Sequence, residues 1–185
     1  MKPRFIRAGR WVGTALLLGT LTTLAPAAPT GLDWSVVAAH ATTDGVHKAG
    51  LIAGWARPDP LWQGSRWQLA LRHEVELSFW RARRGQNVVE FGYSPVLRME
   101  RPTARGNLFF VEASIGVRGL SHTRVSADRD MGSHYQFSDV LGAGWQWGPD
   151  GRSTLGVRFQ HLSNGGIKKP NPGINFGQVY YRQRF

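Results

Sequence analysis

The chain contains no cysteine, so a disulfide framework and any thiolate metal site are excluded. Acids are scarce as well: 12 Asp and Glu stand against 23 Lys and Arg in 185 residues, a formal net charge of +11. No apolar run reaches the ~20 residues that a membrane-spanning helix needs. With 42% hydrophobic residues and a mean hydropathy of −0.29, a helical membrane bundle is excluded. A membrane β-barrel is not, because its strands are only half apolar. The basic excess alone would suit nucleic acid. However, 8 Trp, 9 Phe and 23 Gly are unlike a small basic nucleic-acid binder, and no nucleic-acid partner is expected. The length is that of one ordinary domain.

Part of the basic excess is an address. Lys2, Arg4, Arg7 and Arg10 form a head without acids, Trp11 to Ala25 is rich in Leu and Ala, and Ala25-Pro26-Ala27 has the small-x-small form of a cleavage site. This reads as a secretory signal peptide over 1–27, leaving a domain over 28–185. A membrane anchor is the alternative, but the apolar run is short for one. Ala39-His40-Ala41 is a second possible cleavage site, and cutting there would remove a good strand. Without residues 1–27 the chain keeps 19 basic and 12 acidic residues, net +7.

Beyond residue 28 the recurring pattern is alternation. Trp67, Leu69, Leu71, Val75, Leu77 and Phe79 occupy every second position, interrupted only by His73, and alternate with Arg66, Gln68, Arg72, Glu74, Glu76 and Ser78. The same period recurs in Val89 to Met99, Phe109 to Val117, Tyr135 to Trp147 and Leu155 to Phe159. Period two predicts strands with one greasy and one charged face. Eight are expected, over about 33–41, 46–56, 65–81, 87–100, 107–120, 133–147, 152–163 and 175–185. The first two are joined by Thr42-Thr43-Asp44-Gly45, where Asp-Gly is a hairpin signal.

The class depends on which face is inside. A soluble sandwich buries the greasy face, whereas a membrane barrel turns it to lipid and fills its lumen with the polar one. Strands of 11 residues and more suit a tilted membrane strand. Trp55, Trp62, Trp67, Trp80, Trp145 and Trp147 gather near strand ends, as an interfacial girdle does. The polar face carries both signs, which suits a lumen packed with ion pairs, and the chain ends on a strand with Phe185. The expected fold is all-β: an eight-stranded antiparallel transmembrane outer-membrane β-barrel in a Gram-negative envelope. A periplasmic sandwich is the alternative.

Two polar residues interrupt the greasy face. The odd-numbered register of Leu155, Val157 and Phe159 continues to His161 and Ser163. Residues two apart on a strand share a face, and a Ser beside a His is the minimum for an activated hydroxyl nucleophile. Parity alone is equally served by a strand that has reached the headgroup layer. Asn164-Gly165-Gly166 follows, with an amide and flexible backbone N–H groups that could make an oxyanion hole or a simple turn. Lys168 and Lys169 could meet lipid phosphates or be solvated loop charge. Pro170-Asn171-Pro172-Gly173 completes a rigid loop.

The run His161-Leu162-Ser163-Asn164-Gly165-Gly166-Ile167-Lys168-Lys169-Pro170-Asn171-Pro172-Gly173 resembles the His-x-Ser-Asn signature of the lipid A 3-O-deacylases, the PagL family. Ser121 to Val125 and Gln136 to Gly144 also look like family sequence. The resemblance implies an eight-stranded outer-membrane barrel that hydrolyses the ester-linked acyl chain at the 3-position of lipid A. Ser163 would be the nucleophile and His161 the general base. Asn164, Gly165 and Gly166 would hold the oxyanion, and Lys168, Lys169 and Asn171 would touch substrate. No metal or organic cofactor is implied. The partners would be lipopolysaccharide as substrate and the surrounding outer-membrane lipids, with a homodimer left open.

The sequence departs from the family at one place. A Glu is expected to orient the His, and the matching position holds Asn175. An amide can orient an imidazole but cannot stabilise its cation by charge. Asp139, which interrupts the outward face of strand six, is the second candidate, within cross-strand reach of His161. The other readings are a non-enzymatic barrel, serving as an adhesin or wall protein, and an inactive family member.

Overall fold

The computed structural model describes residues 31–42 and 45–184. The expected signal peptide, Thr43 and Asp44 of the first turn, and Phe185 lie outside them. Eight long strands are present: β1 (Leu32–Ala41), β2 (His47–Ala56), β3 (Gln68–Arg81), β4 (Val88–Pro102), β5 (Leu108–Leu120), β6 (Tyr135–Trp147), β7 (Ser153–Ser163) and β8 (Ile174–Arg184). All fall within three residues of the ranges read from the alternation. Each pairs antiparallel with the next, and β8 pairs with β1 from Asp33↔Arg184 to Ala41↔Phe176. The sheet is thereby closed and has no free edge. A short ribbon, Arg124–Ser126 with Arg129–Asp130, rises from the β5–β6 loop.

The faces are inverted relative to a water-soluble protein. Val36, Leu51, Leu77, Phe91, Leu97, Val111, Val117, Leu141, Val157 and Val179 are exposed on the outer wall. Such a continuous apolar band is untenable in water and correct in lipid, which removes the sandwich. Six cations (Lys48, Arg72, Arg98, Arg118, Arg158, Arg182) and six anions (Asp33, Glu74, Glu76, Glu90, Glu100, Glu112) are buried inside. The lumen is neutral, and its charges are paired across strands. Glu74 accepts from Arg158 at 2.8 and 3.0 Å, from Arg182 at 2.8 Å and from Arg72 at 3.1 Å. Arg72 also forks onto Asp33 at 2.8 and 3.1 Å. A second cluster joins Lys48 to Glu76 and Glu90 at 2.7 and 2.8 Å, and Arg118 to Glu90 at 2.8 Å.

Trp80 differs from the expected girdle. It is fully buried, and its indole N–H donates to Glu90 at 2.6 Å. At the loop end the lumen turns apolar: Trp80 packs with Val46, Val88, Leu120, Met131, Leu162, Ile174 and Phe176 as a plug. Large apolar residues sit there on both faces of a strand, as in Phe79-Trp80 and Val88-Val89. The exposed tryptophans Trp34, Trp55, Trp62 and Trp145 all lie toward the opposite end, where β1 begins and β8 ends.

Candidate active site

β7 is flanked by β6 and β8, and its register sets the site. His161 stands opposite Asp139 on β6 and Asn175 on β8. Ser163 stands opposite Phe137. Leu155, Val157 and Phe159 are exposed on the same register, while Arg158 and Gln160 are buried in the lumen. His161 and Ser163 are half-buried, because the loop over residues 164–173 folds against them.

Asn175 presents its side-chain Oδ1 to His161 Nδ1 at 2.6 Å. With a carbonyl-type acceptor there, Nδ1 carries the proton and Nε2 keeps its lone pair. Asp139 is exposed and makes no hydrogen bond among the described residues, although it is the direct cross-strand neighbour of His161. The Ser163 hydroxyl has no partner among the described residues either. Residues two apart on a strand are separated by roughly 7 Å from Cα to Cα, and both side chains stand on the same face of β7.

Asn164 is 2% exposed, and its side chain is spent on the loop. Its Nδ2 donates to the Met131 and Lys168 carbonyls at 3.1 and 2.8 Å, and its Oδ1 accepts from the Gly166 N–H at 3.0 Å. The Asn164 N–H donates to Asn171 Oδ1 at 2.9 Å. Of the three residues expected around an oxyanion, only Gly165 keeps an N–H without a hydrogen bond among the described residues. The Asn171 NH₂ is also uncommitted there. Lys168 and Lys169 are exposed on the loop.

The β5–β6 loop braces this segment, a contact that strand parity does not reveal. Arg129 donates to the Pro172 and Gly173 carbonyls. Asp130 accepts from the Gly132 N–H at 2.9 Å. That bond, first among the causes, holds the Asp130 carboxyl below the ordinary carboxylate range. The Asp130–Gly132 bond is therefore fully made at neutral pH and is lost as pH falls through that lowered value. Gly132 lies so close to Pro170 that a Cβ would sit 2.0 Å from its carbonyl oxygen. Gly173, at φ +61°, lies under the imidazole, where a Cβ would come within 2.8 Å of His161 Cε1. Gly173→Ala combines backbone strain with a clash at the ring. It is expected to lower the rate of any reaction that uses His161 by ~10-fold or more, since displacements of about 1 Å near a reacting centre cost up to 10²-fold. Steady-state kinetics on the purified barrel checks this, and an unchanged rate would show that the ring is not held from below.

Closed strands, an apolar outer wall and a neutral ionic lumen define an eight-stranded outer-membrane β-barrel. The family model described as Lipid A 3-O-deacylase (PagL) matches residues 47–184, and the chain belongs to that family of hydrolases. It is 36% identical over 123 residues to the lipid A deacylase PagL of Bordetella bronchiseptica, covering 66% of this chain and 67% of that protein. It is 45% identical over 73 residues to the lipid A deacylase PagL of Pseudomonas aeruginosa, 40% of each chain. The crystal structure of the outer membrane enzyme PagL superimposes with a TM-score of 0.75 at 28% identity, covering 83% of this chain and 99% of that one.

Proposed function

We propose that this protein hydrolyses the ester at the 3-position of lipid A, with Ser163 as nucleophile, His161 as general base and Asn175 as the group that orients the imidazole. The observation that carries this reading is the 2.6 Å bond from His161 to Asn175. It selects the tautomer whose Nε2 keeps its lone pair, on a residue that shares its strand face with Ser163. The site opens on the lipid-facing wall, so an acylated substrate reaches it sideways within the leaflet.

His161 Nε2 takes the Ser163 proton as Oγ attacks the ester carbonyl. The oxyanion of the tetrahedral intermediate is held by the Gly165 N–H, with the Asn171 NH₂ as second donor. Asn164 and the Gly166 N–H shape the loop that presents them. Collapse releases the sugar hydroxyl, which receives the proton from His161. Water then enters, gives a proton to His161 as its oxygen attacks the acyl carbonyl, and the Ser163 oxygen leaves with that proton as the fatty acid is freed. Lys168 and Lys169, at the loop surface, meet anionic headgroup oxygens. Incubating purified barrel in detergent with lipid A, and following mass spectra, is expected to show loss of one 3-O-linked acyl chain. Unchanged lipid A, with the barrel folded, would support a non-enzymatic wall protein instead.

Asn175 gives the sharper test. Asn175→Ala is expected to lower the rate by roughly 10–100-fold, part of the ~10²–10⁴ that a positioned base contributes. Asn175→Glu should hold or raise the rate, since a carboxylate makes the same bond and also supports the imidazolium. Asp139→Asn should be nearly silent. Initial rates on one lipid A preparation decide the matter: a damaging Asp139→Asn with a silent Asn175→Ala would transfer the orienting role to Asp139.

A further inference from the structure

At the loop end of the outer wall, β1, β2 and β3 carry polar groups that the reaction above does not use. His40 and His47 face each other across the β1–β2 ladder, with Nδ1···Nδ1 at 3.3 Å and ring centroids 4.6 Å apart. Arg81 is the next cross-strand neighbour of His47. Arg83 folds over the turn, its Cδ 3.8 Å from where a Cβ on Gly45 would stand. Together with Gly45 and Ala82 these four side chains line a recess of about 570 Å³, within the size range of ligand sites.

Among the described residues, the recess holds positive charge without a counter-charge. All four side chains are exposed, and neither guanidinium makes an ion pair or hydrogen bond among the described residues. No carboxylate lines it among those residues; Asp128 shares a neighbouring recess with Arg83 and Arg84. The histidine pair adds a donor. One Nδ1 must give its hydrogen to the other, and the accepting ring then carries its own hydrogen on Nε2. Among the described residues, two arginine forks and at least one imidazole N–H therefore stand unclaimed around one opening. This set suits a tetrahedral oxyanion.

The position indicates which oxyanion. Exposed tryptophans mark the end where β1 begins and β8 ends, whereas the opposite, loop end bears this cationic wall. His40 is in register with Gly177 on β8 and, across it, Phe159 on β7. His161 is thus two strands across and two residues along, about 12 Å away from strand spacing and rise. That is the scale of a disaccharide headgroup.

We propose that His40, His47, Arg81 and Arg83 form a phosphate-binding site on the outer wall that takes a phosphate of the glycolipid whose acyl ester lies at Ser163. This rests on the deacylase reading for the identity of the lipid. The site anchors the headgroup sideways and sets which ester meets the nucleophile.

The test uses binding, so that it stands apart from hydrolysis. Ser163→Ala barrel in detergent is titrated with phosphorylated lipid A and with the same lipid dephosphorylated. The comparison is the same protein carrying His40→Ala, His47→Ala, Arg81→Ala and Arg83→Ala, with heat-modifiable migration confirming the fold. Binding of phosphorylated lipid should weaken about tenfold or more in the quadruple variant, given the strength of charge-assisted bonds. Binding of dephosphorylated lipid should not change. Equal binding of phosphorylated lipid to both proteins would overturn the site, as would equal weakening for both lipids. Inorganic phosphate alone is the third probe. If it binds the recess while the lipid phosphate makes no difference, the occupant is the free ion and the headgroup assignment falls. A parent barrel that binds phosphorylated lipid through these residues but releases no acyl chain would sink the hydrolase reading and leave this site standing.

Discussion

Ser163→Ala is expected to reduce acyl release by ~10⁴–10⁶-fold, and His161→Ala by a similar factor. Members of a nucleophile–base unit fail together rather than additively. Neither side chain contributes to the lumen network, and among the described residues the His161 side chain makes a single hydrogen bond, to Asn175. Both variants should therefore migrate as folded, heat-modifiable barrels. The double variant should be no worse than either single one. Separate and multiplying losses would mean that the two residues act in different steps. Residual activity within tenfold of the parent in Ser163→Ala would remove the serine from the chemistry.

The second large effect concerns stability. Glu74 is the hub of the lower lumen, accepting from Arg72, Arg158 and Arg182. Glu74→Ala leaves three guanidinium groups buried around an empty site. Removing one partner of a buried ion network costs about 3–5 kcal/mol, because the remaining charges keep their desolvation penalty. The urea midpoint of the folded barrel should fall accordingly, with activity per folded molecule little changed, since Glu74 faces the lumen. An unchanged midpoint would mean that water fills the cavity and screens the arginines.

The eight strands were legible because each has one face for lipid and one for a packed ionic interior, so period two runs almost unbroken. Closure followed from the same reading: a greasy outer face and a polar face of both signs are satisfied together only in a barrel. His161 and Ser163 stood out as polar residues on the greasy register. Trp80 was not legible as a plug residue, because a tryptophan near a strand end reads the same whether it points to the interface or into the lumen. Only its even position beside Phe79 hinted at the difference. The brace from Arg129 and Met131 onto the 164–173 loop joins segments more than thirty residues apart, and no local pattern encodes such a contact. The spending of the Asn164 amide on its own loop was hidden for a related reason. Its even position turns it inward, yet the adjacent glycines suggest an outward oxyanion donor. The cationic recess escaped notice because its residues come from three strands and the turn after β3, and its polar members looked like ordinary strand ends.

The most direct test of a serine nucleophile activated by His161 is covalent labelling with an acyl-chain phosphonate ester, read by mass spectrometry of peptides from the detergent-solubilised barrel. One adduct is expected, on Ser163, formed rapidly in the parent and in Asp139→Asn, slowly in Asn175→Ala and not at all in His161→Ala. An adduct on another residue, or labelling of Ser163 at the parent rate without His161, would contradict it.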